Sequence, residues 1–124
     1  MYIVSQQEFN DFVNVSINNI PKQYKDNLNN IAFFVEDEPS TEQRVKLGLR
    51  PCQSLFGLYE GVPLTERRGG YALTLPDKIT IFKNTHEQYA DSIDDLKKQI
   101  ANTVWHEVAH YYGLDHKRIK DLEA

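Results

Sequence analysis

The segment His106-Glu107-Val108-Ala109-His110 contains the residues of this chain that are best suited to metal chemistry. On a helix, residues four positions apart differ by about 40° in direction and about 6 Å in height, so both imidazoles can contact one ion. Glu107 lies one position further round, where its carboxylate can hold a metal-bound water without being a ligand. The spacing therefore predicts a helical metal site, with His106 and His110 as ligands and Glu107 as general base.

A third metal ligand is expected just after this helix ends. Gly113 can adopt the left-handed conformation that terminates helices, so the chain can turn back towards the ion. His116 would then complete the pattern H-E-x-x-H-x-x-G-x-x-H. The adjacent Asp115 is the alternative, because carboxylates also bind zinc. Three histidine ligands leave a fourth zinc position for water, whose pKa falls towards about 7, and Glu107 can take its proton during amide hydrolysis.

Other reactive side chains are predicted to have ordinary structural roles. Cys52 is the only cysteine, which excludes an internal disulfide and leaves it without a cysteine partner for zinc. His86 lies in a polar stretch outside the motif, and we expect it to be exposed or structural. Tyr71, Tyr111 and Tyr112 could donate a hydrogen bond to an oxyanion, but packing is the more common role, and we assign none of them to catalysis.

The helix that carries the metal ligands is predicted to run from Ser92 to about Tyr112. Ser92 and Asp95 resemble a capping box at its start. One row of apolar residues at helical spacing consists of Ile93, Leu96, Ile100, Val104, Val108 and Tyr111. His106 and His110 fall on a different row, so we expect them to project away from most of the core.

Two further helical regions are indicated earlier in the chain. Ser5 and Glu8 form a capping-box pattern before apolar residues at helical spacing, which predicts a first helix ending at Pro21. A short helical piece is expected over residues 22–28. Residues 41–49 are ambiguous between a short helix and irregular chain.

Short apolar segments predict the strands. Residues 31–35 are rich in branched and aromatic side chains and predict a buried strand, and residues 55–59 predict a second one. Residues 71–75 and 78–82 read as two extended segments joined at Pro76-Asp77, which could pair as a hairpin. Together with the helices, these segments predict an α+β fold.

The composition is that of one globular domain covering residues 1–124. No apolar run approaches the roughly 18 residues needed to span a bilayer, and the start lacks a signal-peptide pattern, so we expect a cytoplasmic protein without membrane contact. The net charge of -4, without a block of basic residues, argues against a nucleic-acid partner. The oligomeric state stays open.

With these residues in place, the chain resembles the small bacterial zincin-like metallopeptidases, which have a matrix-metalloproteinase-like domain. The likeness extends beyond the zinc motif, because residues 58–67 look like the family's characteristic loop and residues 75–82 like its following strand. The resemblance covers roughly residues 31–124. It implies a minimal zincin-like fold, with a small mixed sheet packed on helices and a late active-site helix. It also implies a zinc cofactor and a peptide or protein substrate.

Carried over residue by residue, the resemblance makes His106 and His110 zinc ligands and Glu107 the base. The chain departs from the family at His116, where many members have an acidic residue. It also departs from the true metzincins, because their methionine-containing turn needs a methionine after the motif and Met1 is the only methionine here.

Two alternative functions use the same residues. One is a bacterial endoribonuclease of ribosomal RNA maturation, whose metal motif is similar to H-x-x-x-H-x-x-G-x-D-H. The residues that fit it are His106, His110, Gly113, Asp115 and His116. One argument against it is that Glu107 stands where that family usually has a small residue. Another is that the acidic composition does not indicate a positively charged surface for RNA binding. The other alternative is a non-catalytic metal-binding module.

Overall fold

A computed structural model describes residues 1–26, 28, 30–61 and 77–114 of the chain. Its elements in chain order are α1 (Gln6–Asn18), α2 (Lys22–Lys25), β1 (Ile31–Glu36), α3 (Thr41–Leu47), β2 (Gly57–Glu60), β3 (Asp77–Phe82), α4 (Lys83–Tyr89) and α5 (Ile93–Tyr111). Helices and a small mixed sheet confirm the predicted α+β class. Among the described helices, none has the length and apolar character that a bilayer crossing requires.

β3 is the central strand of the sheet, whose order is β1-β3-β2. β1 pairs with β3 in parallel, placing Phe33 opposite Ile79, and β2 pairs with β3 antiparallel, placing Tyr59 opposite the same residue. The sequence suggested a hairpin between residues 71–75 and 78–82. Residues 71–75 lie outside the described residues, and β3 takes its described partners from β1 and β2 on its two sides.

The strand predicted at residues 31–35 exists as β1, but the expectation that it is buried is wrong. β1 lies at the edge of the described sheet, and its Phe34 side chain is 44% exposed. The buried strand is β3, in which Ile79 and Ile81 have no exposed surface. An apolar composition fits both strands, and position within the sheet decides which one is covered on both faces.

α1 begins with the predicted capping box. The Glu8 amide donates to Ser5 Oγ at 3.1 Å, and the Ser5 amide donates back to the Glu8 carboxylate at 3.4 Å. The helix was predicted to end at Pro21, but it ends earlier, at Asn18. Pro21 instead lies directly before the short helix α2.

α3 resolves the ambiguous segment as a helix with its own capping box. The amide of Gln43 donates to Ser40 Oγ at 3.1 Å, and the Ser40 amide donates to Gln43 Oε1 at 2.9 Å. Gly48 ends the helix in the left-handed conformation at φ 65°. The Gln43 side chain also donates to Glu60 at 2.9 Å, which connects α3 to β2.

The core lies where α1 and α5 pack against the sheet. Its fully buried members include Phe9, Ile79, Ile81, Leu96, Ile100, Val104 and Val108. Four of these belong to the apolar row predicted for α5, whereas Ile93 at the start of that row is only half-buried. The long helix is therefore held by its apolar face, and the face that carries His106 and His110 is left partly open.

Candidate metal centre

Both ends of α5 are fixed by local interactions. At the start, the Asp95 amide donates to Ser92 Oγ at 3.1 Å, which is the N-cap half of the predicted capping box. The Asp95 carboxylate accepts from the Asp91 amide at 3.0 Å. The last helical residue is Tyr111, and Gly113 adopts the left-handed conformation at φ 74°. Because a residue with a Cβ is strained there, glycine lets the chain leave the helix immediately after the candidate ligands.

The structure brings three of the predicted site residues together on α5. One candidate ligand atom from each of His106, Glu107 and His110 lies within 4.8 Å of the others. The two imidazole rings have centroids 4.6 Å apart at an angle of 74°. The fourth predicted residue, His116, and its alternative, Asp115, lie outside the described residues.

The electrostatics of the cluster centre on Glu107. Its side chain is buried, and its Oε1 lies 3.2 Å from Nδ1 of His110. This hydrogen bond, helped by the negative charge, raises the pKa of His110, although burial acts in the opposite direction. A carboxylate oxygen can only accept, so Nδ1 donates the hydrogen, and Nε2 of a neutral His110 carries the lone pair that could bind a metal.

The donor set fits zinc. Two imidazoles and a neighbouring carboxylate supply the nitrogen and oxygen atoms that zinc prefers in proteins. Because His106 and His110 are half-buried rather than enclosed, an ion held by them can be reached from solvent. The arrangement can therefore form an open metal site of the catalytic type, with the predicted base beside the metal.

β2 approaches α5 so closely that only glycine fits at position 57. A Cβ added to Gly57 would lie 2.7 Å from Cγ2 of Thr103 and 3.2 Å from Cγ of Glu107. Gly57 therefore lets the strand rest directly on the helix turn that carries the predicted base. This role was not predicted, although a glycine within a strand often marks a close backbone approach.

His86 is also part of the support for α5, although it lies outside the motif. It is fully buried, with Nδ1 2.8 Å from the Phe82 carbonyl oxygen and Nε2 2.8 Å from Thr103 Oγ1. Burial lowers its pKa, with the Phe82 hydrogen bond acting weakly the other way. Of the two roles expected for His86, the structure shows the structural one.

Cys52 and the tyrosines considered as possible oxyanion donors differ in their exposure to solvent. The Cys52 thiol is free and exposed. Tyr111 is buried, and the Tyr112 hydroxyl donates to the backbone carbonyl of Tyr24. Burial raises the pKa of Tyr112. Tyr71 lies outside the described residues.

A cavity of about 320 Å³ opens beside the candidate metal centre. The described residues that line it are Phe56, Asn102, Thr103, His106 and Glu107. Its volume is at the lower end of the range for small-molecule sites. A substrate group in this cavity would therefore contact both the predicted base and one predicted ligand.

A family model described as "Zincin-like metallopeptidase" matches residues 28–124, a span that includes β1 and every later element. No curated protein matches the chain. Because the family match covers well over half of the sequence and includes His106, Glu107 and His110, the chain belongs to the zincin-like metallopeptidase family.

Proposed function

We propose that this protein is a zinc-dependent metallopeptidase that hydrolyses peptide bonds in peptide or protein substrates. His106, His110 and His116 are its zinc ligands in this proposal, and Glu107 is its general base. The main support is the convergence of His106, Glu107 and His110 within 4.8 Å in a chain of the zincin-like family.

The position of Glu107 supports a catalytic role. When bound, zinc would act as a Lewis acid towards the scissile carbonyl and would make water more acidic. A Glu107 carboxylate oxygen accepts the proton that water loses as its oxygen attacks the carbonyl carbon. The same oxygen then gives this proton to the leaving amine when the C–N bond breaks.

The same position also bears on the two alternative functions. A non-catalytic metal-binding module has no need of a carboxylate beside the histidines, whereas Glu107 is buried there and contacts His110. The endoribonuclease pattern usually has a small residue at this position. Both observations favour a peptidase in which Glu107 is the general base.

The decisive experiment replaces Glu107 by Gln in the zinc-loaded full chain. The amide keeps the size of the side chain but cannot accept the proton, so peptide hydrolysis should fall by at least about a hundredfold. Zinc content and thermal stability should stay near the wild-type values. The matched control is Glu42→Gln on the exposed side of α3, which should leave hydrolysis unchanged.

Unstructured proteins and peptide libraries should be assayed in parallel with structured and single-stranded RNA. Peptide cleavage that disappears in Glu107→Gln and in the presence of a chelator supports the proposal. Metal-dependent RNA cleavage that survives the substitution would establish the ribonuclease instead. Zinc binding without turnover of either substrate class would leave the metal-binding module.

A further inference from the structure

A second, larger cavity adjoins the candidate metal centre. Its volume is about 580 Å³, and it lies between α4, α5 and the segment before β2. It shares Phe56, Asn102 and Thr103 with the cavity beside His106 and Glu107. Because they share these three residues, the two cavities adjoin in one depression along α5, whose described lining extends from Glu107 to Gln99 in the N-terminal half of the helix.

The larger cavity has an uncharged lining. None of the described residues that line it is acidic or basic. Two are the aromatic rings of Phe56 and Tyr89, which are 41% and 60% exposed and have centroids 5.7 Å apart. The amide side chains of Gln88, Gln99 and Asn102 also line the cavity, and small hydroxyl and thiol side chains complete the described lining. Such exposed rings beside a cleft are typical of a binding surface.

The walls of this cavity are held in place by their own contacts. The Phe56 ring packs edge-on against the buried His86 ring at 5.0 Å. The Gln99 side-chain nitrogen donates to the Tyr89 carbonyl oxygen and to the Asp95 carboxylate, each at 3.1 Å. These contacts connect the segment before β2, α4 and α5 around the cavity. The cavity is therefore formed before any ligand arrives, which reduces the entropy cost of binding.

The larger cavity lies at a distance from the candidate metal centre that a neighbouring residue of a bound peptide can span. Asn102 precedes His106 by one helical turn, which is about 6 Å along the helix. An extended peptide advances by about 3.3–3.6 Å per residue. A side chain one or two residues from the scissile bond can therefore reach the larger cavity while the bond lies at the candidate metal centre.

We propose that this cavity is the specificity pocket of the enzyme, and that it selects peptides with a large uncharged side chain, aromatic rings first, within two residues of the scissile bond. The proposal rests on the proposed peptidase function. An aromatic side chain gains ring contacts with Phe56 and Tyr89. A charged side chain loses hydration there and finds no opposite charge among the described lining residues.

Charge variants of Gln88 test the pocket. Gln88 is exposed on α4 and lines the cavity, so both variants should fold. Zinc-loaded wild-type protein should cleave library peptides with Phe, Tyr, Leu or Met at the selected position at least about tenfold better than those with Lys or Glu. Gln88→Lys should improve relative cleavage of Glu peptides by about threefold to fivefold, and Gln88→Glu should do the same for Lys peptides.

The matched controls are Gln7→Lys and Gln7→Glu, on an exposed position of α1 away from the depression. Both should leave the cleavage profile unchanged. A profile that shows no preference for uncharged side chains, or that shifts equally in the Gln7 and Gln88 variants, would overturn the proposed pocket while leaving the peptidase function intact.

A binding measurement separates the pocket from the activity. N-acetylphenylalanine amide and N-acetyllysine amide are titrated into ¹⁵N-labelled full-length protein without zinc. Only the phenylalanine derivative should shift the side-chain amide signals of Gln88, Gln99 and Asn102, and Phe56→Ala should remove the response. This binding, combined with no peptide cleavage by the zinc-loaded protein, would support the pocket and refute the proposed function. Equal signal shifts with both compounds would refute the pocket. So would the absence of any signal shift together with a cleavage profile that shows no preference for uncharged side chains.

Discussion

Thr103 donates a 2.8 Å hydrogen bond to the buried imidazole of His86, and this bond joins α5 to α4 one helical turn before the predicted base. The direction of the bond follows from the other ring nitrogen. Nδ1 of His86 faces the Phe82 carbonyl oxygen, which can only accept, so Nδ1 carries the hydrogen of the neutral ring. Nε2 is then the acceptor for the Thr103 hydroxyl.

Removing this hydroxyl should destabilise the protein. Thr103→Val keeps the shape of the side chain but leaves the buried Nε2 of His86 without a donor, which costs about 1–3 kcal/mol of unfolding free energy. Thr103→Ser keeps the hydroxyl and should lose less. Chemical denaturation of the metal-free variants measures the difference. Equal stability of Thr103→Val and wild type would show that the bond contributes nothing.

The two described histidines with shifted pKa values should separate in a pH titration of the metal-free protein. The ordinary value is 6.5, and burial lowers the pKa of His86, whereas the Glu107 hydrogen bond raises that of His110. Ring proton signals in NMR spectra should therefore move above pH 6.5 for His110 and only below it for His86. Titration of both rings at the same pH would contradict the described geometry.

The His86 shift also predicts a loss of stability in acid. Because the unfolded imidazole binds a proton near pH 6.5 and the folded one only at lower pH, the free energy of unfolding should fall as the pH decreases below 6.5. The raised pKa of His110 has the opposite effect in metal-free protein. It adds to the free energy of unfolding at low pH, and this stabilisation is lost as the pH rises through the raised pKa. Denaturation of His86→Gln and His110→Gln at several pH values separates the two contributions.

Gly57→Ala should disturb the predicted base through packing alone. The added Cβ would crowd Thr103 and Glu107, which should cost about 1–3 kcal/mol of stability and lower hydrolysis while zinc stays bound. Gly48→Ala is the matched control, because a Cβ there meets no atom within 4 Å but the backbone has φ +65°. That variant should lose about 1 kcal/mol from backbone strain and keep its specific activity. An equal fall in activity in both variants would argue against a positioning role for Gly57.

Zinc binding should depend on all three predicted histidine ligands. Elemental analysis should find close to one equivalent of zinc per chain, and zinc should raise the melting temperature of chelator-treated protein, because it binds the folded state. His106→Ala and His110→Ala should abolish tight binding, and His116→Ala should weaken it strongly. Strong weakening by Asp115→Ala with little effect of His116→Ala would make Asp115 the third ligand.

The part of the site that could be predicted from sequence is the part made by local geometry. His106, Glu107 and His110 lie within one and a half helical turns, so their spacing alone indicates a common target. The capping residues Ser5 and Ser92 were predictable for the same reason, since each acts on an amide three residues away.

The support for that helix could not be predicted, because it depends on residues far apart in the chain. Nothing in the sequence near His86 indicates that Thr103 completes its hydrogen bonds, or that Gly57 rests on the turn carrying Glu107. The strand pairing is equally non-local. β3 pairs with β1, from which the described elements α3 and β2 separate it along the chain.

The central position of β3 has a consequence for how the protein is made. Within the described part of the chain, β1 and β2 pair only with β3, which is synthesised after both of them. A nascent chain that has not yet reached residue 77 therefore exposes two strand edges without the partner they have in the folded protein. Such edges favour aggregation, and closing long loops between strands slows folding. Both edges stay without that partner until β3 has left the ribosome.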